Sequence, residues 1–162
     1  MKKEQVSKSE IKLVGLKART NNQNEMNPET AKIGALFGKY LSQNMSGKIP
    51  NRTNPGVTLC AYTEYDTDEH GDYTYFIGEE VSTFDNIPEE LQTIILPASN
   101  YQRFTTEEGK MPEIVIHSWQ KIWKMTEKDF GGKRSYQGDF ELYDQRAMDP
   151  ANTSLDIYIA IK

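Results

Sequence analysis

The sequence predicts an α+β fold: a strand-helix-strand-strand unit written twice, with an antiparallel sheet and two main helices. Three observations lead there. Several stretches alternate apolar and polar residues, the period of half-buried strands. Two others, after Asn27 and after Pro112, repeat apolar residues every three or four positions, as a helix with one buried side does. The order strand, helix, strand, strand then appears over residues 11–81 and again over 93–161.

Ile11 to Thr20 reads as the first strand. Asn27-Pro28-Glu29 supplies an N-cap, a first-turn proline and an early acid, a helix start. Ile33, Phe37, Tyr40, Leu41 and Met45 follow at helical spacing, with Lys32, Lys39 and Gln43 opposite. Residues 46–56 hold two prolines and two glycines and form a loop. Val57 to Tyr65 and Tyr73 to Val81 are strands joined by a turn through Asp68, His70 and Gly71. Residues 82–92 link the halves, with a short helical turn at Pro88 to Leu91. Thr93 to Thr106 is strand-like, and Pro97 marks an irregularity near its start. Pro112 opens a helix to about Met125. A loop at Gly131 and Gly132 leads to strands at Gln137 to Gln145 and Ser154 to Ile161, with Asp149-Pro150 in the turn.

Composition bounds the function. The 162 residues suit a single domain spanning 1–162. A net charge of −5 argues against direct binding of nucleic acid. The lone Cys60 excludes an internal disulfide, and with only His70 and His117 no zinc cage is expected. The segment from Asp66 to Gly71 opens like a calcium loop, but Ile77 stands where the bidentate glutamate belongs. No metal and no cofactor are therefore expected. No apolar run is long enough for a membrane span or a signal peptide, so a cytoplasmic protein is expected.

Alternation assigns side chains to faces. Asp139, Glu141 and Tyr143 point away from Phe140 and Leu142. Leu155, Ile157, Ile159 and Ile161 form a core row, with Asp156, Tyr158 and Ala160 opposite. A hairpin centred on Asp149-Pro150 places Glu141 across from Tyr158 and Tyr143 across from Asp156. In the first half Cys60, Tyr62 and Glu64 share the back of their strand, and a turn near Glu69 puts Phe76 beside Tyr62. Trp119 and Trp123 lie at one edge of a wide apolar arc on the second helix, while His117, Gln120, Lys121 and Lys124 form its polar side. Rings around one carboxylate are too apolar for plain solvent and too polar for a dry core. They suit a small amphipathic or cationic molecule. Each aromatic face attracts a cation by about 0.5–2 kcal/mol. A carboxylate at about 4 Å contributes on the order of 4 kcal/mol at an effective dielectric near 20, before desolvation.

These residues carry a family resemblance. Gly138-Asp139-Phe140-Glu141-Leu142-Tyr143-Asp144, Asp149-Pro150 and Leu155 to Ile161 resemble the end of the GyrI-like domain, the effector-binding (small-molecule-binding) module of AraC-type and MerR-type multidrug regulators. Gly56-Val57, Tyr75 to Gly78, Leu96-Pro97-Ala98 with Tyr101, and the tryptophan helix agree with it. The resemblance implies a duplicated unit with a ligand cleft on its pseudo-twofold axis. It maps the characteristic glutamate on Glu141, a last-strand aromatic on Tyr158 and the helix-side wall on Trp119 and Trp123. With Tyr143, Tyr62 and Phe76 these form the expected ligand-binding set. About ten residues precede the first expected strand, too few for a DNA-binding domain, so a stand-alone sensor or sequestering domain is expected, with a separate regulator as a conceivable partner. Two alternatives follow from the same resemblance: a hydrolase of strained cyclopropanoid compounds using Glu141 and Tyr143, and an inhibitor that binds DNA gyrase.

Overall fold

A computed structural model describes all residues, Met1–Lys162. One eight-stranded antiparallel sheet holds β1 (Lys2–Lys8), β2 (Ile11–Thr20), β3 (Thr58–Thr63), β4 (Tyr73–Glu80), β5 (Gln92–Leu96), β6 (Ser99–Thr105), β7 (Asp139–Tyr143) and β8 (Asp156–Ile161). The helices are α1 (Asn22–Glu25), α2 (Ile33–Ser42), α3 (Glu113–Trp123) and α4 (Glu127–Phe130), none long and apolar enough to cross a membrane.

The strand order is β1-β6-β8-β7-β3-β4-β2-β5. With β2 matched to β6, β3 to β7 and β4 to β8, this order reads the same from either end. The two units meet at the central β3–β7 pair. The unit is longer than the sequence predicts, because each half opens with an extra strand that crosses over. β1 precedes β2 but pairs with β6, and β5 precedes β6 but pairs with β2. β1 escapes prediction because only Val6 in Lys-Lys-Glu-Gln-Val-Ser-Lys is apolar. Such a charged edge also discourages pairing with a foreign strand. The irregularity at Pro97 is a corner that divides Thr93 to Thr106 into β5 and β6.

The crossed strands curl the sheet. β1 and β2 stand six strand spacings apart in the order, about 29 Å if flat. Only Ser9 and Glu10 connect them, a reach of about 11 Å. The same holds for β5 and β6 through Pro97 and Ala98. Bending brings the ends together, and within the β2–β4 ladder two backbones approach closely. A Cβ on Gly15 would fall 1.9 Å from the Ile77 carbonyl oxygen, so only glycine fits.

Curling gives the sheet two different faces. Its inner face packs Leu13, Leu59, Phe76, Leu96, Tyr101, Phe140 and Tyr158 against one another without a helix. Its outer face carries α2, through Tyr40 and the partly buried Ile33 and Phe37, and α3, through Trp119 and Ile122 on Phe104, Leu155, Ile157 and Ile159.

The helix predicted from Asn27 is α2, and it starts later, at Ile33. Asn27 Oδ1 accepts from the Glu29 amide at 3.0 Å, a local turn that competes with helix. The Glu25 carboxylate instead caps α2, accepting from the Lys32 and Ile33 amides at 2.9 and 3.0 Å. Pro88 to Leu91 makes a hydrogen-bonded turn rather than a helix.

Candidate ligand-binding cleft

Where the two units meet, α2 and α3 stand apart on the outer face and leave a cleft of about 650 Å³. Its floor is the central β3–β7 pair with β4 beside it, and its walls are the facing sides of the two helices. Glu141 lies in that floor, 2% exposed, opposite Cys60. Three neutral donors hold its carboxylate. Trp119 Nε1 donates to Oε2 at 2.6 Å, the Tyr62 hydroxyl to the same oxygen at 2.8 Å, and the Tyr143 hydroxyl to Oε1 at 2.7 Å. No cationic side chain pairs with it. Burial pushes its pKa above the ordinary carboxylate value, and the three hydrogen bonds only partly oppose that rise. Burial, and then the charge of Glu141, push Tyr62 and Tyr143 well up, so both stay protonated donors.

The structure brings together five of the seven expected residues. Glu141, Tyr62, Tyr143, Trp119 and Trp123 all line the cleft. Trp119 is buried and packs edge-on against Tyr62 at 5.1 Å between centroids. Trp123 stands at the mouth, 41% exposed, near the exposed Ile116 and Met26.

Tyr158 and Phe76 are not there. Both belong to the inner face, and the reason is the same in the two hairpins: the true register differs by one residue from a turn-centred guess. Tyr158 pairs with Phe140, and Glu141 pairs with Ile157, not Tyr158. Asp156 lies across from Leu142 rather than Tyr143. Phe76 pairs with Ala61, and Tyr75 takes the place beside Tyr62. A one-residue shift moves a strand's side chains to the other face. Tyr158 stacks on Phe140 at 4.3 Å, with Lys8 above its ring at 5.3 Å.

Several cleft residues escape sequence reading. Tyr75, Tyr73 and Tyr65 extend the aromatic floor, and Phe37 of α2 meets Tyr143 edge-on at 6.2 Å. Beyond Glu141 the same strand carries Asp139, fully buried, which accepts from Arg134 Nη2 and the Tyr65 hydroxyl at 2.7 Å and from the Ala160 amide at 2.8 Å. Its place on the Glu141 face follows from alternation. Its pairing with Arg134 depends on loop geometry that has no period to read. His117 is exposed on the polar side of α3, away from the carboxylate.

Comparison with known proteins places this geometry. A family model described as Cass2, integron-associated effector binding protein, matches residues 5–161. A protein of Bacillus subtilis (strain 168) named as a transcriptional regulator, YobU, is 34% identical over 151 residues, covering 93% of this chain and 92% of its own. The integron cassette protein structure from the mobile metagenome of Vibrio cholerae aligns with a TM-score of 0.76 at 27% identity, covering 99% of this chain and 95% of that one. The structure of SAV2435 bound to tetraphenylphosphonium aligns with the same TM-score at 18% identity, covering 100% and 94%. These neighbours share the GyrI-like effector-binding fold.

Proposed function

We propose, for a chain that belongs to the Cass2 family of integron-associated effector-binding proteins, that the cleft binds lipophilic organic cations and that Glu141 is their counter-charge. The protein then acts as a sensor or a sequestering domain for such compounds. The observation that carries this reading is a buried carboxylate satisfied only by neutral donors. An ionised acid in that position lacks a compensating cation, and a ligand that brings one restores the balance. The donors from Tyr62, Tyr143 and Trp119 fix the carboxylate in place while leaving its charge unneutralised. The rings supply a broad, weakly specific surface for the rest of the ligand. The bound tetraphenylphosphonium in SAV2435, a protein of like fold, supports the choice of a bulky cation.

Titrating tetraphenylphosphonium against the fluorescence of Trp119 and Trp123 tests the reading, with neutral triphenylphosphine oxide as control. The cation is expected to quench with one-to-one saturation and the oxide to bind far more weakly. Glu141→Gln keeps an acceptor for Trp119 and Tyr62, so it should fold normally yet weaken cation binding about 10- to 100-fold, ~1.4–3 kcal/mol. Equal affinity for cation and oxide, or for wild type and variant, overturns it. A hydrolase would use the same Glu141 carboxylate and the Tyr143 hydroxyl 2.7 Å from it as its acid-base pair. Recovery of a strained electrophile unchanged, read by mass spectrometry, separates holding from turnover.

A further inference from the structure

We propose that the cleft is two-headed: it takes elongated dications, with one cationic group at Glu141 and the second at Glu69. This rests on the reading of Glu141 given above and extends it to the shape and charge count of the ligand.

The first support is continuity of the rings. From Trp119 a chain of ring contacts runs through Tyr62, Tyr73 and Tyr65, which line the cleft, and on to Tyr136, each centroid 5.1–5.8 Å from the next. Each end of this ladder is hydrogen-bonded to a carboxylate. Trp119 and Tyr62 hold Glu141. The Tyr136 hydroxyl donates to Glu69 Oε2, and Glu69 lines the same cleft from the β3–β4 loop.

The second support is charge. Arg134 is the cation at the far end, and it lies 2.7 Å from the fully buried Asp139 but 3.9 Å from Glu69. One guanidinium therefore faces two carboxylates, and its closer partner is Asp139. Glu69 remains in excess. His70 sits 4.0 Å from Glu69 with its ring 84% exposed, so water screens any help from it. Glu25, the third carboxylate on the cleft wall, accepts from the Lys32 and Ile33 amides and from Thr20, so the positive end of the α2 dipole answers its charge. The acids left with neither a close cation nor a helix terminus are Glu141 and Glu69, joined by a run of edge-on and tilted rings. A compact monocation satisfies one of them. A dication with an apolar linker satisfies both and lays its linker along the rings.

The test uses bis(trimethylammonium) alkanes from tetramethylene to dodecamethylene, each paired with the alkyltrimethylammonium of equal chain length, by calorimetry on the wild type, Glu69→Gln and Glu141→Gln. The wild type is expected to prefer one linker length and to bind that dication about tenfold or more tighter than its monocation. Glu69→Gln keeps an acceptor for Tyr136 and should erase this preference, costing the dication far more than the monocation. Glu69→Lys should reverse the preference. Glu141→Gln should weaken both ligands. If monocations bind through Glu141 but no dication gains at any length, or if Glu69→Gln weakens monocation and dication equally, the two-headed assignment is overturned and the single-headed cleft stands. If monocations fail to bind at all, the cleft reading itself falls with it.

Discussion

Asp139 and Glu141 stand two residues apart on β7 and project from one face, both buried beneath the same cleft. Asp139 has its own cation, the Arg134 guanidinium, together with a tyrosine and a backbone amide. Glu141 has two tyrosines and an indole and no positive partner. The number of hydrogen bonds is the same, so local satisfaction does not distinguish them. Charge does. At one position the chain completes the ion pair internally, and at the other it leaves the carboxylate without a positive partner.

The contrast can be pressed hardest at Asp139. Asp139→Ala strips a buried guanidinium of its nearest partner, and such removals cost about 3–5 kcal/mol. Urea denaturation should show that loss, whereas Glu141→Gln, which removes a buried charge, should leave stability nearly unchanged. A cost below about 1 kcal/mol at Asp139 would mean that Arg134 re-pairs with Glu69 and that the internal pair is dispensable.

Separating the two faces of the sheet is the next step. Tyr158→Leu removes a ring stacked on Phe140 inside the curl and should lower stability by about 1–3 kcal/mol with cation affinity unaltered. A tenfold loss of affinity in this folded variant would return Tyr158 to the binding surface.

The smallest effect is that of pH. A carboxyl whose folded pKa lies above its unfolded value makes the folded state hold its proton longer. Stability of the free protein then declines as pH rises from the ordinary glutamate value, near 4.5, to the raised folded value. Cation affinity should run the other way, climbing over the same window as Glu141 ionises, with proton release on binding below its upper end. Glu141→Gln should flatten this component of both profiles. Affinity that stays level through that window in the wild type would show that ionised Glu141 is not what the cation meets.

Much of this arrangement was readable from residue order, and the failures have a common cause. Alternation within a single strand puts Glu141 and Tyr143 on one face of β7, and Cys60 and Tyr62 on one face of β3, because that property belongs to each strand alone. Trp119 was visible as part of an apolar arc too wide for one contact. Pairing between strands depends on the connecting loop, and both hairpins here close on long, irregular turns. The centre of each was displaced just enough to exchange Tyr158 for Ile157 and Phe76 for Tyr75. β1 stayed hidden because an edge strand rich in lysine has no apolar row to betray it. Arg134 and Glu69 reach the cleft from loops, where no periodicity applies, so neither could be assigned beforehand.

The crossed strands β1 and β5 also make the two units interdependent. Each unit borrows an outer strand from its neighbour, so a chain cut at the linker leaves either piece with an unsatisfied sheet margin and a stray segment. Two copies of one piece could mend this by trading those segments, which is the geometry of a domain-swapped homodimer. In the intact protein the reciprocal loan acts as a covalent clasp, holding in register the seam on which the cleft is built.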